Sequence, residues 1–309
     1  MRPIVLILGP TAGGKTSLAI ELARMLDGGG ECICADSMQV YRGMDIGTAK
    51  PTKSEQKAAR HHVLDITEPS EEGFTVDDWL KKADKAIAEI RARNSWPIVV
   101  GGTNLYVQSL LWGMFEGPDR NQARRAELDN LSNRELQEKL LSLDQESATR
   151  IHINDKRRMV RAIEVYQETG KPISLLQSQW SAPEPREDAV IIGLSWSVDE
   201  INRRINSRVK TMLDQGFLEE VKSLQNHLGV QAREALGYKQ LLAYLRGECS
   251  IEEAVERIKI LTRRYGKQQR TWLRRFQILP FAHFISMPCE SLQVAATAAL
   301  AHILGFASK

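Results

Sequence analysis

The segment Pro3-Ile4-Val5-Leu6-Ile7-Leu8-Gly9-Pro10-Thr11-Ala12-Gly13-Gly14-Lys15-Thr16 decides the fold. Its first six residues form an apolar run rich in β-branched and aliphatic side chains, which is typical of a buried strand. The next eight fit the pattern G-x-x-x-x-G-K-[ST] at every fixed position. Apolar spacing from Ser17 to Leu26 then predicts a helix. A strand, a phosphate-binding loop (P-loop) and a helix in this order predict an α/β fold with a P-loop-type parallel sheet.

The loop is suited to a di- or triphosphate. Gly13 and Gly14 let backbone N–H groups approach phosphate oxygens without a Cβ in the way, and the helix start adds unpaired donors. Lys15 brings a full positive charge, and the Thr16 hydroxyl can bind Mg²⁺ as the metal ligand. The predicted diphosphate- or nucleotide-binding residues are Gly9, Pro10, Thr11, Ala12, Gly13, Gly14, Lys15 and Thr16.

The loop alone does not identify the phosphate compound. NTP hydrolases usually add an apolar strand that ends in a metal-binding Asp. The clearest later strand, Trp96–Val100, ends instead in Gly101-Gly102-Thr103, whereas the run from Glu31 to Ala35 ends in Asp36 followed by Ser37. These strand ends favour a kinase-like or transferase-like site over a motor ATPase.

Composition and cysteine spacing limit the class of protein. The chain has 309 residues, 42% of them apolar and 26% charged, which is ordinary for a soluble globular protein with room for two domains. Its longest largely apolar stretch, at 294–306, is too short to span a membrane, and the first strand leaves no room for a signal peptide. The four cysteines have neither metal-site nor disulfide-framework spacing. We therefore expect a cytoplasmic protein with no membrane partner, and a monomer.

Two kinds of segment follow one another along the chain. Residues 1–116 and 188–309 are predicted to form the α/β core with a helical C-terminal region. Residues 117–187 are predicted to be a helical insertion domain, because 121–180 show no convincing strand, and a Pro- and charge-rich link at 181–188 leads back to the core. After a strand at 189–194, the rest of the chain is expected to be helical.

A basic stripe marks the C-terminal region. Residues 257–276 contain eight Lys or Arg residues and no acidic one, although the whole chain carries a net charge of only +3. Four of them share one face of the predicted helix, at i, i+4, i+7 and i+11: Arg263, Lys267, Arg270 and Arg274. Such a stripe on an otherwise slightly acidic protein predicts a polyanionic partner.

Taken together, these segments resemble the bacterial tRNA dimethylallyltransferase family, also called tRNA isopentenyltransferases. The matching segments run nearly from end to end: 9–16, 36–51, 61–65, 101–106, 154–162, 236–239 and 262–274. The stretch Gly43-Met44-Asp45-Ile46-Gly47-Thr48-Ala49-Lys50-Pro51 is highly specific to this family. The resemblance implies a P-loop core and a helical insertion that hold a tRNA between them.

The activity that the resemblance implies is a prenyl transfer. A dimethylallyl group would move from dimethylallyl diphosphate to N6 of the adenosine at tRNA position 37, next to the anticodon, with release of diphosphate. Mg²⁺ is the implied cofactor. Asp36 resembles the family's catalytic base, while Lys15, Thr103 and Arg208 resemble groups that hold the diphosphate.

The resemblance also implies a set of residues that contact the tRNA anticodon stem-loop. Asp36 and the turn after it, Ser37, Met38 and Gln39, would meet the adenine together with Thr103, and Gln39 can offer a donor and an acceptor to a base edge. The remaining predicted contacts are Arg124, Arg157, Arg158, Arg161, Gly237, Tyr238, Lys239, Arg263, Lys267, Arg270 and Arg274. Glu234 stands where some relatives have Arg.

Three other interpretations stay open at this point. A P-loop kinase for a nucleotide or small molecule explains the loop, but neither the 43–51 stretch nor the basic helix. Transfer of the dimethylallyl group to free AMP would use the same chemistry. Binding AMP needs only one or two cations, however, so the extended basic face favours a polynucleotide acceptor. An RNA-binding module without activity leaves the complete P-loop without a purpose.

Overall fold

The computed structural model describes residues 1–71, 73–114, 117–118, 122–177 and 184–308. The chain divides into two compact units: Met1–Val107 with Glu187–Lys309, and Gln108–Arg186. The predicted insertion begins at residue 117, which is described, but the two residues before it, 115 and 116, are not. The first part of the predicted link, residues 181–183, also lies outside the described residues.

A parallel sheet lies at the centre of the first unit. Its strands within the described residues are β1 (Ile4–Leu8), β2 (Gly30–Ala35), β3 (His61–His62), β4 (Trp96–Gly101), β5 (Ala189–Trp196) and β6 (Ala282–Met287). They lie in the order β3-β2-β4-β1-β5-β6, and every neighbouring pair is parallel. β1 is buried along its whole length between β4 and β5. The predicted α/β fold with a P-loop-type parallel sheet is confirmed.

The strand β6 corrects the expectation that the chain is wholly helical after residue 194. It pairs with β5 from Ala282, opposite Ile191, to Met287, opposite Trp196. An edge strand has a neighbour on one side only, and in β6 only Ile285 is buried. The continuous apolar run that marks a central parallel strand is therefore missing from its sequence.

Helices cover the sheet and form the rest of the chain. They are α1 (Lys15–Met25), α2 (Lys53–Ala58), α3 (Val76–Ala92), α4 (Asn104–Trp112), α5 (Gln122–Asp129), α6 (Asn133–Leu143), α7 (Gln145–Arg150), α8 (Lys156–Thr169), α9 (Ile173–Leu176), α10 (Val198–Asp214), α11 (Phe217–Leu224), α12 (Val230–Arg233), α13 (Tyr238–Leu245), α14 (Ile251–Gln277) and α15 (Leu292–Ala307). Ser197 and Ser250 cap α10 and α14 by accepting N–H bonds from Glu200 and Glu253, because a short side-chain oxygen satisfies the unpaired donors of a first turn.

The second unit has its own small apolar core, built from α5 to α9. Leu136 and Leu140 of α6 pack with Met159 and Ile163 of α8. Glu164, which is fully buried, accepts hydrogen bonds from Arg125 and Arg161. Among the described residues, no helix combines the length and the apolar character needed to cross a membrane.

Candidate active site

The P-loop connects the carboxyl end of β1 to α1. Gly14 has φ 89°, a left-handed conformation that glycine adopts without strain. A Cβ at Gly13 would lie 2.8 Å from the carbonyl oxygen of Pro10, which also accepts the Gly13 N–H. The two glycines therefore keep the turn tight, and α1 begins at Lys15 directly after it.

Lys15 lies close to another positively charged side chain, Arg208. Its Nζ donates to the carbonyl oxygens of Gly9 (3.1 Å) and Pro10 (3.0 Å). Burial lowers the pKa of Lys15 to about 8, the positive charge of Arg208 lowers it as well, and the carboxylate of Asp36 opposes the shift. The pKa of Arg208 is also lowered, again mainly by burial. Two cations that share a half-buried pocket favour the arrival of an anion.

Arg204 is a third cation at this place, and it is not among the residues predicted from the sequence. Its Nε donates to the carbonyl oxygen of Ala12 (2.8 Å), and its guanidinium lies 4.6 Å from the centre of the Trp196 ring. Arg204 and Arg208 are four residues apart on α10, so they share a face of that helix. This spacing is a signal that could have revealed it.

Asp36 lies at the carboxyl end of β2. Its Oδ1 accepts hydrogen bonds from the N–H groups of Met38 (2.9 Å) and Gln39 (3.4 Å), so the side chain holds the turn that follows it. No described residue donates a hydrogen bond to Oδ2. One oxygen therefore positions the turn, and the other remains available to a ligand.

Thr103 reaches this turn from the neighbouring strand. Its Oγ1 accepts a hydrogen bond from the Ser37 N–H (3.0 Å). β2 and β4 lie so close that a Cβ at Gly101 would be 2.0 Å from the carbonyl oxygen of Ala35. The structure therefore brings Thr103 beside the turn of Asp36.

Gln269 joins the basic helix α14 to the P-loop and to the loop after β4, and it is a second site residue not predicted from the sequence. It is 3% exposed. Its Oε1 accepts the Thr11 N–H (2.8 Å) and its Nε2 donates to the carbonyl oxygen of Gly102 (3.0 Å). A glutamine four residues after Tyr265 and four before Leu273 lies on the inward face of α14, and a buried amide needs partners. A polar amide at a buried position of a helix was therefore the sequence signal that could have identified Gln269.

Two cavities of the first unit meet at Asp36. The larger has a volume of about 830 Å³ and is lined by the P-loop with Arg204 and Arg208. The smaller, about 250 Å³, has mainly apolar walls, including Met38, Phe217 and Leu236. Residues that line both are Thr11, Asp36, Thr48, Arg208, Met212 and Tyr265. We call the larger cavity the phosphate chamber and the smaller one the small chamber.

The amide of Gln39, which is predicted to offer a donor and an acceptor to a base edge, is hydrogen-bonded within the protein in this structure. Its Nε2 donates to the carbonyl oxygens of Thr48 (3.0 Å) and Ala49 (3.2 Å), and its Oε1 accepts from the Cys34 thiol. Both amide protons are thereby occupied. Gln39 instead fastens the 43–51 stretch to the end of β2.

The ring of Tyr238 is also unavailable. It is fully buried, lies edge-on to Phe217 at 5.1 Å and donates its hydroxyl to Glu220. Tyr238 stays a predicted tRNA contact, but in this structure its ring presents no exposed face. Its neighbour Lys239 is exposed and pairs with Glu234 at 2.6 Å. Leu236 and Gly237, which precede Tyr238, line the small chamber.

The basic face of α14 is present as predicted by the helical spacing. Lys267 and Arg274 are exposed, and Arg270 is half-buried. Arg263 donates to Oδ1 of Asn206 (2.6 Å). No ion pair with a described residue neutralises Lys267 or Arg274.

Four predicted tRNA contacts belong to the second unit. Arg124 pairs with Glu168 at 2.7 Å. Arg161 pairs with Glu164 at 2.9 Å, whereas Arg157 and Arg158 are exposed at the start of α8. Arg157 therefore presents its charge to solvent, and the exposed Arg158 lies 3.4 Å from Asp155. Arg124 and Arg161 are held by carboxylates.

Charge and shape divide this site into two parts. A cluster of cations faces the phosphate chamber, an apolar chamber lies next to it, and one carboxylate borders both. Such a site suits the removal of a group from a phosphate carrier and its transfer to an acceptor held in the second chamber. The fold and the site thus define a transferase of the P-loop α/β class.

The family model described as IPP transferase matches residues 39–276. The chain belongs to this family. The tRNA dimethylallyltransferase of Shouchella clausii is 45% identical over 279 residues, covering 88% of each chain. The tRNA dimethylallyltransferase 2 of Geotalea uraniireducens is 43% identical over 279 residues, covering 88% of this chain and 89% of its own. The predicted family and the prediction of a prenyl-transferring enzyme are confirmed.

Solved structures agree with this assignment. The full-length tRNA isopentenylpyrophosphate transferase of Bacillus halodurans has a TM-score of 0.74 and 36% identity, with 100% of this chain and 97% of that chain covered. A eukaryotic dimethylallyltransferase, described as acting on tRNA, has a TM-score of 0.79 and 29% identity, with 93% of this chain and 74% of that chain covered. The similarity therefore extends over both units.

Proposed function

We propose that the protein transfers the dimethylallyl group of dimethylallyl diphosphate to N6 of the adenosine at position 37 of tRNA, releasing diphosphate. The observation that carries this proposal is the position of Asp36. Its carboxylate borders the cation-lined phosphate chamber on one side and the apolar small chamber on the other. Donor and acceptor can therefore meet beside a proton acceptor.

The phosphate chamber holds the donor. Diphosphate gains negative charge as it leaves, and preorganised donors and cations stabilise that charge best. Lys15, Arg208 and the P-loop amides provide them, with Arg204 at the rim. Thr103, beside the turn of Asp36, completes the set of groups that we assign to the reacting centre.

Asp36 acts as the general base. An exocyclic adenine amine is a poor nucleophile because its lone pair is delocalised into the ring. As N6 bonds to C1 of the allyl group, the bond from C1 to the diphosphate oxygen breaks and its electron pair leaves with the diphosphate. The proton that N6 releases passes to Oδ2 of Asp36, which no described residue occupies.

Mg²⁺ fits the residues at this site as an ion that arrives with the diphosphate. Within the described residues, no group of three or more His, Cys, Asp or Glu side chains forms a metal cage. Mg²⁺ is usually held by one or two protein oxygens together with substrate phosphates and water. The Thr16 hydroxyl, which lines the phosphate chamber, is the protein ligand that we assign, and the ion would neutralise diphosphate charge.

The small chamber receives the adenine. A base within a folded anticodon loop must be turned out of its stack before a protein side chain can reach its amine. Apolar walls suit the faces of a purine, and Asp36, Ser37 and Gly237 stand at its edges. Lys267 and Arg274 on the exposed face of α14 would contact the phosphates of the anticodon stem, which fix the position of the RNA.

The test of this function is direct. We expect the purified protein, incubated with unmodified tRNA, dimethylallyl diphosphate and Mg²⁺, to add the mass of one dimethylallyl group to a single adenosine. Nucleoside mass analysis after digestion measures this, and free AMP in place of tRNA tests the smaller acceptor. Unchanged tRNA mass, together with phosphate transfer from ATP to a metabolite, would establish the kinase alternative instead.

The contribution of α14 to RNA binding can be measured from its salt dependence. K267A and R274A are each expected to lower the slope of log affinity against log salt concentration by about 1, because each removes one phosphate contact. The control is K85A, which removes an exposed cation from α3 and should leave the slope unchanged. If K267A and R274A bind tRNA with the wild-type slope, this face lies outside the interface.

A further inference from the structure

Glu220, on α11, gathers four hydrogen-bond donors on one carboxylate. Its Oε2 accepts from the N–H groups of Asp45 (2.9 Å) and Ile46 (2.7 Å). Its Oε1 accepts from the N–H of Gly47 (3.0 Å) and from the Tyr238 hydroxyl. Three successive N–H groups that converge on one anion form a concave backbone nest, and an ionised carboxylate is a pure acceptor. Glu220 therefore fastens two separate segments with one group.

Phe217 supports the same two segments from the preceding turn of α11. It lies three residues before Glu220 and so faces the same side of the helix. A Cβ at Gly47 would lie 2.1 Å from its ring, and a Cβ at Gly237 would lie 2.7 Å from it. The ring thus fills the space beside both glycines, while Glu220 binds the polar groups next to them.

The two fastened segments are walls of the small chamber. Gly47 and Thr48 line it from one segment, Leu236 and Gly237 line it from the other, and Phe217 lines it from α11. We infer that Glu220 is a positioning residue that fixes the walls of the small chamber around the adenine, so that N6 lies within reach of Asp36. This inference rests on the proposed function.

Glutamine is the informative replacement at this position. It has nearly the shape of glutamate, but one oxygen becomes an NH₂ donor that must face an N–H or an O–H donor. In either orientation the NH₂ group faces at least one backbone N–H of 45–47, which then loses its acceptor. The Tyr238 hydroxyl can instead turn to accept from the NH₂ group. E219Q is the matched control because Glu219 is the exposed neighbour on the same helix and the change of charge is the same. Y238F removes one of the four donors and leaves the three N–H bonds.

The experiment compares the full-length variants in two measurements. In steady-state kinetics we expect E220Q to lower kcat/KM for tRNA by about 10- to 100-fold, since a displacement of about 1 Å can cost that much. Asp45 and Ile46 line the phosphate chamber, so the KM for dimethylallyl diphosphate should also rise in E220Q, but by less than the loss toward tRNA. Y238F should lower kcat/KM for tRNA by about 2- to 10-fold through one lost hydrogen bond. Amide exchange at residues 45–47 should be faster in E220Q than in E219Q.

Several results would overturn the inference. E220Q with wild-type kinetics toward tRNA would do so, as would an equal loss toward both substrates, which indicates general destabilisation. If E220Q does not fold, Y238F with wild-type kinetics overturns the inference. Amide exchange needs no catalysis, so protected amides at 45–47 in E220Q would refute the role of Glu220 itself. A wild-type protein that transfers no allyl group would refute the proposed function and leave the exchange result standing.

Discussion

The D36N variant is expected to lose transfer activity while it still binds tRNA. Asparagine retains an oxygen at Oδ1, so the bonds from the Met38 and Gln39 N–H groups can persist. It cannot take a proton from N6, and loss of general base catalysis typically costs about 10²- to 10⁴-fold in rate. Single-turnover assays with saturating donor and tRNA measure the chemical step, and a separate binding assay measures tRNA affinity.

A second replacement separates the two oxygens of Asp36. D36A removes the base and also the acceptor that holds the turn, so it should weaken tRNA binding in addition to the rate. D36N should weaken only the rate. Turnover of D36N at the wild-type rate would exclude Asp36 as the base, whereas equal tRNA affinities for D36N and D36A would remove the role of Oδ1 in holding the turn.

The K15A variant is expected to bind the diphosphate donor far less tightly. A hydrogen bond to a charged group contributes about 1.5–3 kcal/mol, so its loss corresponds to about a 10- to 100-fold weaker affinity. Binding of dimethylallyl diphosphate can be measured calorimetrically without tRNA. Wild-type affinity in K15A would show that Lys15 does not contact the donor.

The pKa of Lys15 adds a pH dependence with a definite sign. Because the pKa is about 8 in the free protein, Lys15 is mostly protonated below pH 8 and loses its charge above it. Donor affinity should therefore fall as the pH rises through 8. K15A should lack this decline, and so should K15R, because arginine stays protonated. Since Asp36 opposes the lowering of this pKa, the decline in D36N should move to lower pH.

The P-loop and the residues around it show how much of the structure can be predicted from the sequence. The loop, the strand ends and the helix caps were predictable because each depends on a few neighbouring residues with strict backbone requirements. Gly13, Asp36 and Ser250 are examples. The sheet class followed from the same local signals, since buried parallel strands are continuous apolar runs.

The contacts that complete the site were less accessible to prediction. Gln39 and Tyr238 have side chains suited to RNA, but in this structure the 43–51 stretch and α11 take up their polar groups. Glu220 and Gln269 are ordinary helix residues whose partners lie on other elements. The sequence shows which groups a side chain can bind, whereas tertiary packing decides which of them it contacts in the folded protein.

The two ends of the helical unit lie close together. The N–H of Arg186, its last residue, donates to the carbonyl oxygen of Leu111 at 2.8 Å. Chain ends that already touch cost little entropy to reconnect, so a short turn could replace everything between them. A P-loop core can therefore have gained this unit through a single insertion in its gene, without any change in strand order. The same geometry allows an engineer to exchange the unit for that of a relative at these two residues.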